Sequence, residues 1–431
     1  MTDPLQDRNV IVLGLSRQGT LTAEWLAETV GAQVFASDVR PADQIGRALT
    51  ELGGYDNIHF ELGSHPLYLL NGAALVVVSN GVPLTIPFIV EAQKRGVPVT
   101  NTAQLVMERA PCDVIAVAGS AGKTTTIALA SRMMEAAGLL PWIGGSTALI
   151  GDLPYIRRED LVLLEVSAAS LPLLRTSPRI SAVLNLEEEL PVGPLLAGQV
   201  VGDIAVLNRD DPAVMALAAR VQAEVVHFSD RVPVDVGAWR AGERILSRPA
   251  FDQPMEPVCA ISEVQLRGAH NLANVLAACA IAGAAGVPPA AKRAAVLEFP
   301  GVAHRQQHIR EWRGISFIND AAADSPRRAR LTIETMGGPI VLIAGGSDHA
   351  QPWAALSSPH VRAIIGVGAA AGPLEAAGAP VTPAESFEAA FAAAAGMAFS
   401  GDTVLLAPGT PLPDYAGTGE HFRVMAERLS D

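Results

Sequence analysis

"VIAVAGSAGKTTTIALASRMMEAAG", residues 114–138, runs from an apolar strand through a turn of small residues into a helix. Val114 to Ala118 are apolar without alternation, as in a strand buried on both faces, and from Thr126 onward the apolar residues recur at helical spacing. Between them stand Gly119, Ser120, Ala121 and Gly122, followed by Lys123, Thr124 and Thr125. The two glycines let the backbone curl so that successive N–H groups point inward, where the helix dipole adds positive potential. In such a turn Lys123 reaches the β- and γ-phosphates of a nucleotide, and the Thr124 hydroxyl ligates Mg²⁺. The pattern GxxxxGK[ST] asks for glycine at 117; this chain has Val117, so the loop is the shorter GxxGKT variant.

Outward from this turn, strands alternate with helical patterns, the order of a parallel α/β fold. Strands are expected at 10–13, 33–37, 74–78 and 97–100, which makes residues 1–110 a first α/β domain, Rossmann-like. A second, the central ATPase-type domain, covers 111–299 with strands at 161–165, 181–185 and 203–207 and a helix from 271 to about 285. The segment "LEFPGVAHR", 297–305, carries proline, glycine and a change of polarity, so a boundary falls there. A third Rossmann-like domain, 300–431, has strands at 315–318, 339–344, 362–366 and 403–406. Each of the three is expected to be built on a mainly parallel sheet.

Composition narrows the function. A chain of 431 residues has room for two or three domains of about 150 residues, each with its own core. A formal net charge of −13 argues against a nucleic-acid surface. Cys112, Cys259 and Cys279 are odd in number and far apart, which suggests a reducing cytoplasm, and no ligand set for a protein-held zinc is complete. The opening "MTDPLQDRNVIVLGLSRQG" has acidic residues where a signal peptide needs basic ones, and the apolar stretches elsewhere are broken by glycine and polar residues. The expectation is a soluble cytoplasmic monomer with no membrane insertion.

The first domain has a glycine turn of its own, "GLSRQG", with Gly14 and Gly19 after a strand and Asp38 at the end of the next. That layout suits a nucleotide phosphate near the turn and a nucleoside contact at Asp38, although one glycine of GxGxxG is missing and such glycines also serve helix packing.

The order of these features resembles the Mur ligase family, and within it the members that add D-glutamate. The resemblance spans nearly the whole chain. It rests on "GLSRQG", "SDVRP" and "SNGVP" in the first domain, and on "GSAGKTTT", "LLEVSAAS", "LNRDDP" and "LRGAHNLANVLAACAIA" in the second. The third adds "FPGVAHRQQ", "FINDAAADSP", "VLIAGGSDH" and "LLAPGTPLPD". The resemblance implies a ligase of peptidoglycan precursor synthesis that binds a UDP-muramoyl peptide, phosphorylates its carboxylate with ATP and lets an amino acid amine attack the acyl phosphate. Catalysis of this kind is mostly positioning and charge neutralisation. By the same resemblance, Gly119 through Thr125 hold the triphosphate, Thr124 and Glu165 serve Mg²⁺, and Asn271 and Asn274 face the adenine side. Arg305 and Asp320 close over ATP, and Lys123, Glu165 and Arg305 are the catalytic set. Gly14, Ser16, Arg17, Asp38 and Arg40 meet the UDP, with Ser79 and Gly81 nearby. Each has an alternative reading: Glu165 as a surface carboxylate, Asn271 and Asn274 as helix caps, Asp38 and Asp320 as turn residues, Arg305 as a solvated charge.

The chain also departs from the family. After "AVLN", 182–185, the family continues through an Asp-His-rich stretch to a lysine that is carbamylated and holds a second Mg²⁺; here "LEEELPVGPLLAGQVV" contains no histidine and no lysine. Only Lys94, Lys123 and Lys292 exist in the whole chain, and Glu187, Glu188 or Glu189 is the alternative metal carboxylate. In the acceptor region Ala321 and Ala322 stand where a serine and a lysine are expected, Leu412 where a serine is expected, and "SAAS" replaces "SSFQ". Two functions from different classes follow: an ATP-dependent ligase, slowed or with a changed acceptor, and a nucleotide-binding regulator or scaffold that has lost ligation.

Overall fold

The alternation of apolar strands and helices builds two compact units in the computed structural model, Met1–Phe299 and Pro300–Asp431. The described residues are 3–186, 190–266, 268–336, 338–346, 351–370 and 372–430.

The first unit contains two sheets. In one, strands β1 (Asn9–Leu13), β2 (Gln33–Asp38), β3 (Ile58–Leu62), β4 (Ala73–Val78) and β5 (Val99–Asn101) lie in the order β3-β2-β1-β4-β5, all parallel. Parallel neighbours need crossover connections, and helices such as Arg17–Trp25 supply them. The apolar run of β1 is explained by burial on both faces: Val10 and Val12 enter one core cluster, Ile11 and Leu13 another.

The other sheet has nine strands, β6 (Asp113–Ala118), β7 (Pro141–Gly145), β8 (Leu161–Glu165), β9 (Ile180–Val183), β10 (Ile204–Asn208), β11 (Glu224–Ser229), β12 (Gly237–Ala241), β13 (Arg244–Arg248) and β14 (Glu256–Ala260). Their order is β14-β13-β12-β11-β10-β9-β6-β8-β7. The second unit carries β15 (Gln307–Trp312), β16 (Ile315–Asn319), β17 (Ile340–Gly345), β18 (Val361–Val367), β19 (Val381–Ala384) and β20 (Thr403–Leu406), ordered β15-β16-β20-β17-β18-β19.

The sheets are mainly parallel, as expected, with antiparallel pairing at two places. β12, β13 and β14 pair antiparallel, and so do β15 and β16. The reason is connection length. Arg313 and Gly314 alone join β15 to β16, with φ of 51° and 73°, and Gly242 (φ 59°) and Glu243 join β12 to β13. Two-residue loops with positive φ are hairpin turns, and a hairpin cannot return a parallel strand.

Candidate functional site

The turn after β6 and the helix Lys123–Ala136 form the centre of the site. The Lys123 ammonium donates to the Gly119 carbonyl at 2.7 Å, folding the side chain over the turn. The Thr124 hydroxyl donates to the Glu165 carboxylate at 2.7 Å. Strand pairing makes that contact possible, because β6 and β8 run in register with Val117 opposite Glu165, which puts the carboxylate level with the start of the turn. The first amides of the helix have no acceptor within it and face this place.

Two neighbours pin the turn. Gly122 has φ of 83°, and a Cβ there would lie 2.2 Å from Asn274 Oδ1, so only glycine permits the contact. Asn274 in turn donates to Asn271 Oδ1 at 3.1 Å, and both asparagines are buried on helix Ala269–Ala284. On the other side Asn185, just past β9, accepts from the Ala121 amide through its side chain at 2.9 Å and from the Ser120 amide through its carbonyl at 3.2 Å. Its Nδ2 donates back to the Ala121 carbonyl at 3.1 Å. Asn185 is thus a partner of the turn that the motif alone does not indicate. Its one signal is a polar residue closing the apolar run "AVL".

The donors fit a nucleotide with Mg²⁺. Thr124 Oγ1 and Glu165 Oε2 lie 2.7 Å apart, near the spacing of about 2.9 Å between adjacent oxygen ligands of an octahedral ion. Mg²⁺ takes few protein ligands, the rest being phosphate and water, so two suffice. Among the described residues no group of three or more His, Cys, Asp or Glu side chains is placed to hold a metal. Glu187, Glu188 and Glu189 lie outside the described residues.

A second polar cluster occupies the carboxyl ends of β1, β2 and β4, where strand order reverses across β1 and an open parallel sheet forms a crevice. Asp38 Oδ2 accepts from the Leu15 amide at 2.7 Å and from Arg40 Nη2 at 2.8 Å, while Oδ1 accepts from the Arg40 amide and Nε, each at 2.9 Å. Burial pushes this carboxyl up, but the Arg40 guanidinium and the two amides outweigh it and hold the group at about 2. Asp38 therefore ties the Gly14 turn to Arg40, with both its oxygens engaged. Ser79 donates to the Gly14 carbonyl at 2.7 Å. A Cβ on Gly19 would lie 1.8 Å from that same carbonyl, so this glycine serves close packing. Ser16 and Arg17 are exposed, and Arg17 pairs with Glu51 on the surface at 2.9 Å.

Gln18, Asn80, Ser146, Ser167 and Ser170 form a network that no local motif indicates. Gln18 is buried, accepts from the Asn80 amide at 2.8 Å and donates to Ser146 Oγ at 2.9 Å. Asn80 Nδ2 donates to Ser167 at 3.1 Å and its oxygen accepts from Ser170 at 3.1 Å. The two serines of "SAAS" thus join the loop after β4 to the segment after β8. A cavity of about 300 Å³ opens beside them, lined by Ser79, Gly81, Leu84, Asn101, Ala169 and Leu173 among others.

In the second unit Asp320 follows β16 and is buried, accepting from the Gln306 amide at 3.2 Å and from the Thr332 hydroxyl at 2.6 Å. Burial pushes its carboxyl up to about 6. Arg305 lies in the loop before β15, half-buried, close enough to Asp320 to oppose that rise. Ala321 and Ala322 are buried and apolar, and Leu412 lies against Gly346.

A phosphate turn facing a carboxylate, in a mainly parallel sheet beside a second sheet with its own polar crevice, has the architecture of an ATP-binding α/β protein. Solved structures share its architecture. A UDP-N-acetylmuramate-alanine ligase from Thermotoga maritima superposes with a TM-score of 0.56 at 16% identity, over 97% of this chain and 99% of that one. A murein peptide ligase from Psychrobacter arcticus does so with 0.55 at 17%, over 98% and 100%. The fold is that of the Mur ligases. In sequence, residues 8–101 match the family described as Mur ligase MurD-like, N-terminal domain. The chain is 34% identical over 454 residues to the UDP-N-acetylmuramoylalanine–D-glutamate ligase of Acidobacterium capsulatum, covering 98% of this chain and 97% of that protein. It is 34% identical over 464 residues to the protein of the same name from Symbiobacterium thermophilum, covering 99% of each. The chain belongs to the Mur ligase family of ATP-dependent ligases, in its D-glutamate ligase branch. No helix among the described residues is long and apolar enough to cross a membrane.

Proposed function

We propose that this chain joins D-glutamate to UDP-N-acetylmuramoyl-L-alanine at the expense of ATP. The substrate carboxylate attacks the γ-phosphorus and ADP leaves; the amine of D-glutamate then attacks the acyl carbon and phosphate leaves. The observation that carries this reading is the Thr124–Glu165 contact inside the Gly119–Thr125 turn, since it joins the metal-ligand pair to the phosphate cradle. Lys123 would neutralise charge on the β- and γ-phosphates, and Gly119 to Gly122 would admit them closely to the backbone. Asn271 and Asn274 would hold the nucleotide side, and Mg²⁺ when bound would supply further charge neutralisation through Thr124 and Glu165. Residues 1–110 would take the UDP end, with Gly14, Ser16, Arg17, Arg40, Ser79 and Gly81 around the crevice and Asp38 orienting Arg40. Residues 111–299 would hold ATP. Residues 300–431 would supply Arg305 and Asp320 toward ATP and receive the amino acid.

The acceptor side supports a slow enzyme. Alanine at 321 and 322 and leucine at 412 give no charge or hydroxyl to a dicarboxylic amino acid, and charge-assisted hydrogen bonds are worth roughly 1.5–3 kcal/mol each. The same residues favour the second reading, a nucleotide-binding protein without ligation. The deciding experiment is phosphate release from ATP with UDP-N-acetylmuramoyl-L-alanine, with and without each amino acid. Release that needs both substrates supports the ligase, and absence of substrate-dependent release from a chain that still binds ATP supports the second reading.

A further inference from the structure

Arg305 is carried between two residues of rare backbone geometry. His304 and Gln306 have φ of 61° and 47°, in the left-handed region that residues other than glycine seldom hold. Such conformations persist only where the surroundings over-determine them. The surroundings here are the turn after β16 and Thr332 on helix Pro326–Met336. The Gln306 amide donates to Asp320 Oδ1 at 3.2 Å, and the Gln306 side-chain amide donates to the Thr332 hydroxyl at 3.1 Å. That hydroxyl donates onward to Asp320 Oδ2 at 2.6 Å, closing a ring of three residues in which Gln306 takes part through both its backbone amide and its side chain. On the near side the His304 amide donates to Gln307 Oε1 at 3.0 Å, and the His304 carbonyl accepts from the Ala322 amide at 3.1 Å. Thr332 is 2% exposed and Asp320 6%. A valine has nearly the shape of Thr332, so what the threonine adds is its hydroxyl.

We propose that Thr332 is a positioning residue: with Asp320 it clamps Gln306 and so fixes the left-handed loop that presents Arg305 to the nucleotide. The inference rests on the reading of Arg305 as a nucleotide-contacting residue. Thr332 itself touches no reacting group. Its hydroxyl both accepts and donates within the ring, so Thr332→Val breaks two links at once and leaves the Asp320 carboxylate short of a donor, whereas Thr332→Ser keeps both.

The test is calorimetric Kd for ATP with Mg²⁺ in the full chain, for Thr332→Val, Thr332→Ser, Arg305→Ala and the Thr332→Val/Arg305→Ala double variant. Thr332→Val is expected to weaken ATP binding about tenfold, the scale of one lost hydrogen bond to a charged group. Thr332→Ser should restore the unmodified Kd within about twofold, and the double variant should bind as Arg305→Ala does, because the hydroxyl acts through that arginine. Gln306→Leu, which breaks the ring from its other side, should weaken binding in the same direction and covers a Thr332→Val protein that fails to fold. Losses that multiply in the double variant would overturn the proposal and leave Thr332 a general packing residue. An Arg305→Ala protein that binds ATP normally would overturn the reading of Arg305 and the clamp with it.

Discussion

The Thr124 hydroxyl and the Glu165 carboxylate meet at 2.7 Å, one on the first turn of a helix and the other at the end of the strand paired to the one that feeds it. Glutamine at 165 keeps an acceptor for Thr124 and the shape of the strand end but removes the charge that a cation needs. Glu165→Gln is expected to lower ATP turnover about a hundredfold, or about 2.7 kcal/mol, while the melting temperature moves by less than about 2 °C. Initial rates against Mg²⁺ concentration, with a thermal melt of each protein, check this. An unchanged Mg²⁺ dependence would make Glu165 a helix-side hydrogen-bond partner only.

Lys123→Ala is expected to weaken Mg²⁺-dependent ATP binding at least tenfold, about 1.4 kcal/mol. The ammonium packs on the Gly119 carbonyl, above the cradle, and alanine leaves the helix start intact. Calorimetry decides. Equal binding by the two proteins would place the triphosphate elsewhere.

Asp38 and Arg40 carry a pH dependence of the first sheet. The carboxyl titrates at about 2 in the folded chain against 3.8 for an ordinary aspartate. A depressed carboxyl stabilises fully above the unfolded value, and the effect fades as pH falls through 4 toward 2. At about 1.4 kcal/mol per unit the gap amounts to about 2 kcal/mol at neutral pH. Asp38→Asn should lose about that much at pH 7 and little at pH 2, read by denaturant unfolding at both. A UDP-sugar should also raise the melting temperature of the unmodified chain more than that of the variant.

Asp320 has the opposite sign. Its carboxyl is raised by burial to about 6, so its contribution is fully present below pH 4 and is lost as pH rises through 6. The cost of holding it charged at pH 8 is about 3 kcal/mol. Arg305 and Arg328 are the charges facing it, and the Thr332 hydroxyl and the Gln306 amide bond it directly. Asp320→Asn should flatten the decline in stability between pH 5 and 8, as followed by unfolding across that range. A parallel decline in the variant would assign the effect to other groups.

Much of the fold was legible because buried parallel strands announce themselves as apolar runs: "VIVL" and "LVLLE" appear as β1 and β8 within a residue. β3 and β7 escape because both are half-exposed edge strands, "IHFEL" mixed in polarity and "PWIGG" made of proline and glycine around two apolar residues. The hairpins escaped because "RG" and "GE" are weak turn signals next to Asn-Gly or Asp-Gly. In the site, the glycines, Lys123 and Thr124 were readable since their chemistry is local to one turn. Asn185, Gln18, Asn80 and Thr332 were not, because each acts across a long sequence separation, as Asn185 does on Ala121 from 64 residues away. The position of Asp38 at a strand end suggests a nucleoside contact, and only the geometry shows that four donor atoms already occupy its carboxylate.

Ligation itself separates the two functions. Purified chain and the Acidobacterium capsulatum relative are incubated side by side with ATP, Mg²⁺, UDP-N-acetylmuramoyl-L-alanine and D-glutamate, and the amide product is quantified by mass spectrometry. D-glutamate-dependent product is expected at a rate at least about a hundredfold below the relative, about 2.7 kcal/mol of transition-state stabilisation, and unaffected by added bicarbonate because no lysine stands in residues 186–201. Absence of any product while ATP still binds would contradict the ligase and establish the nucleotide-binding protein in its place.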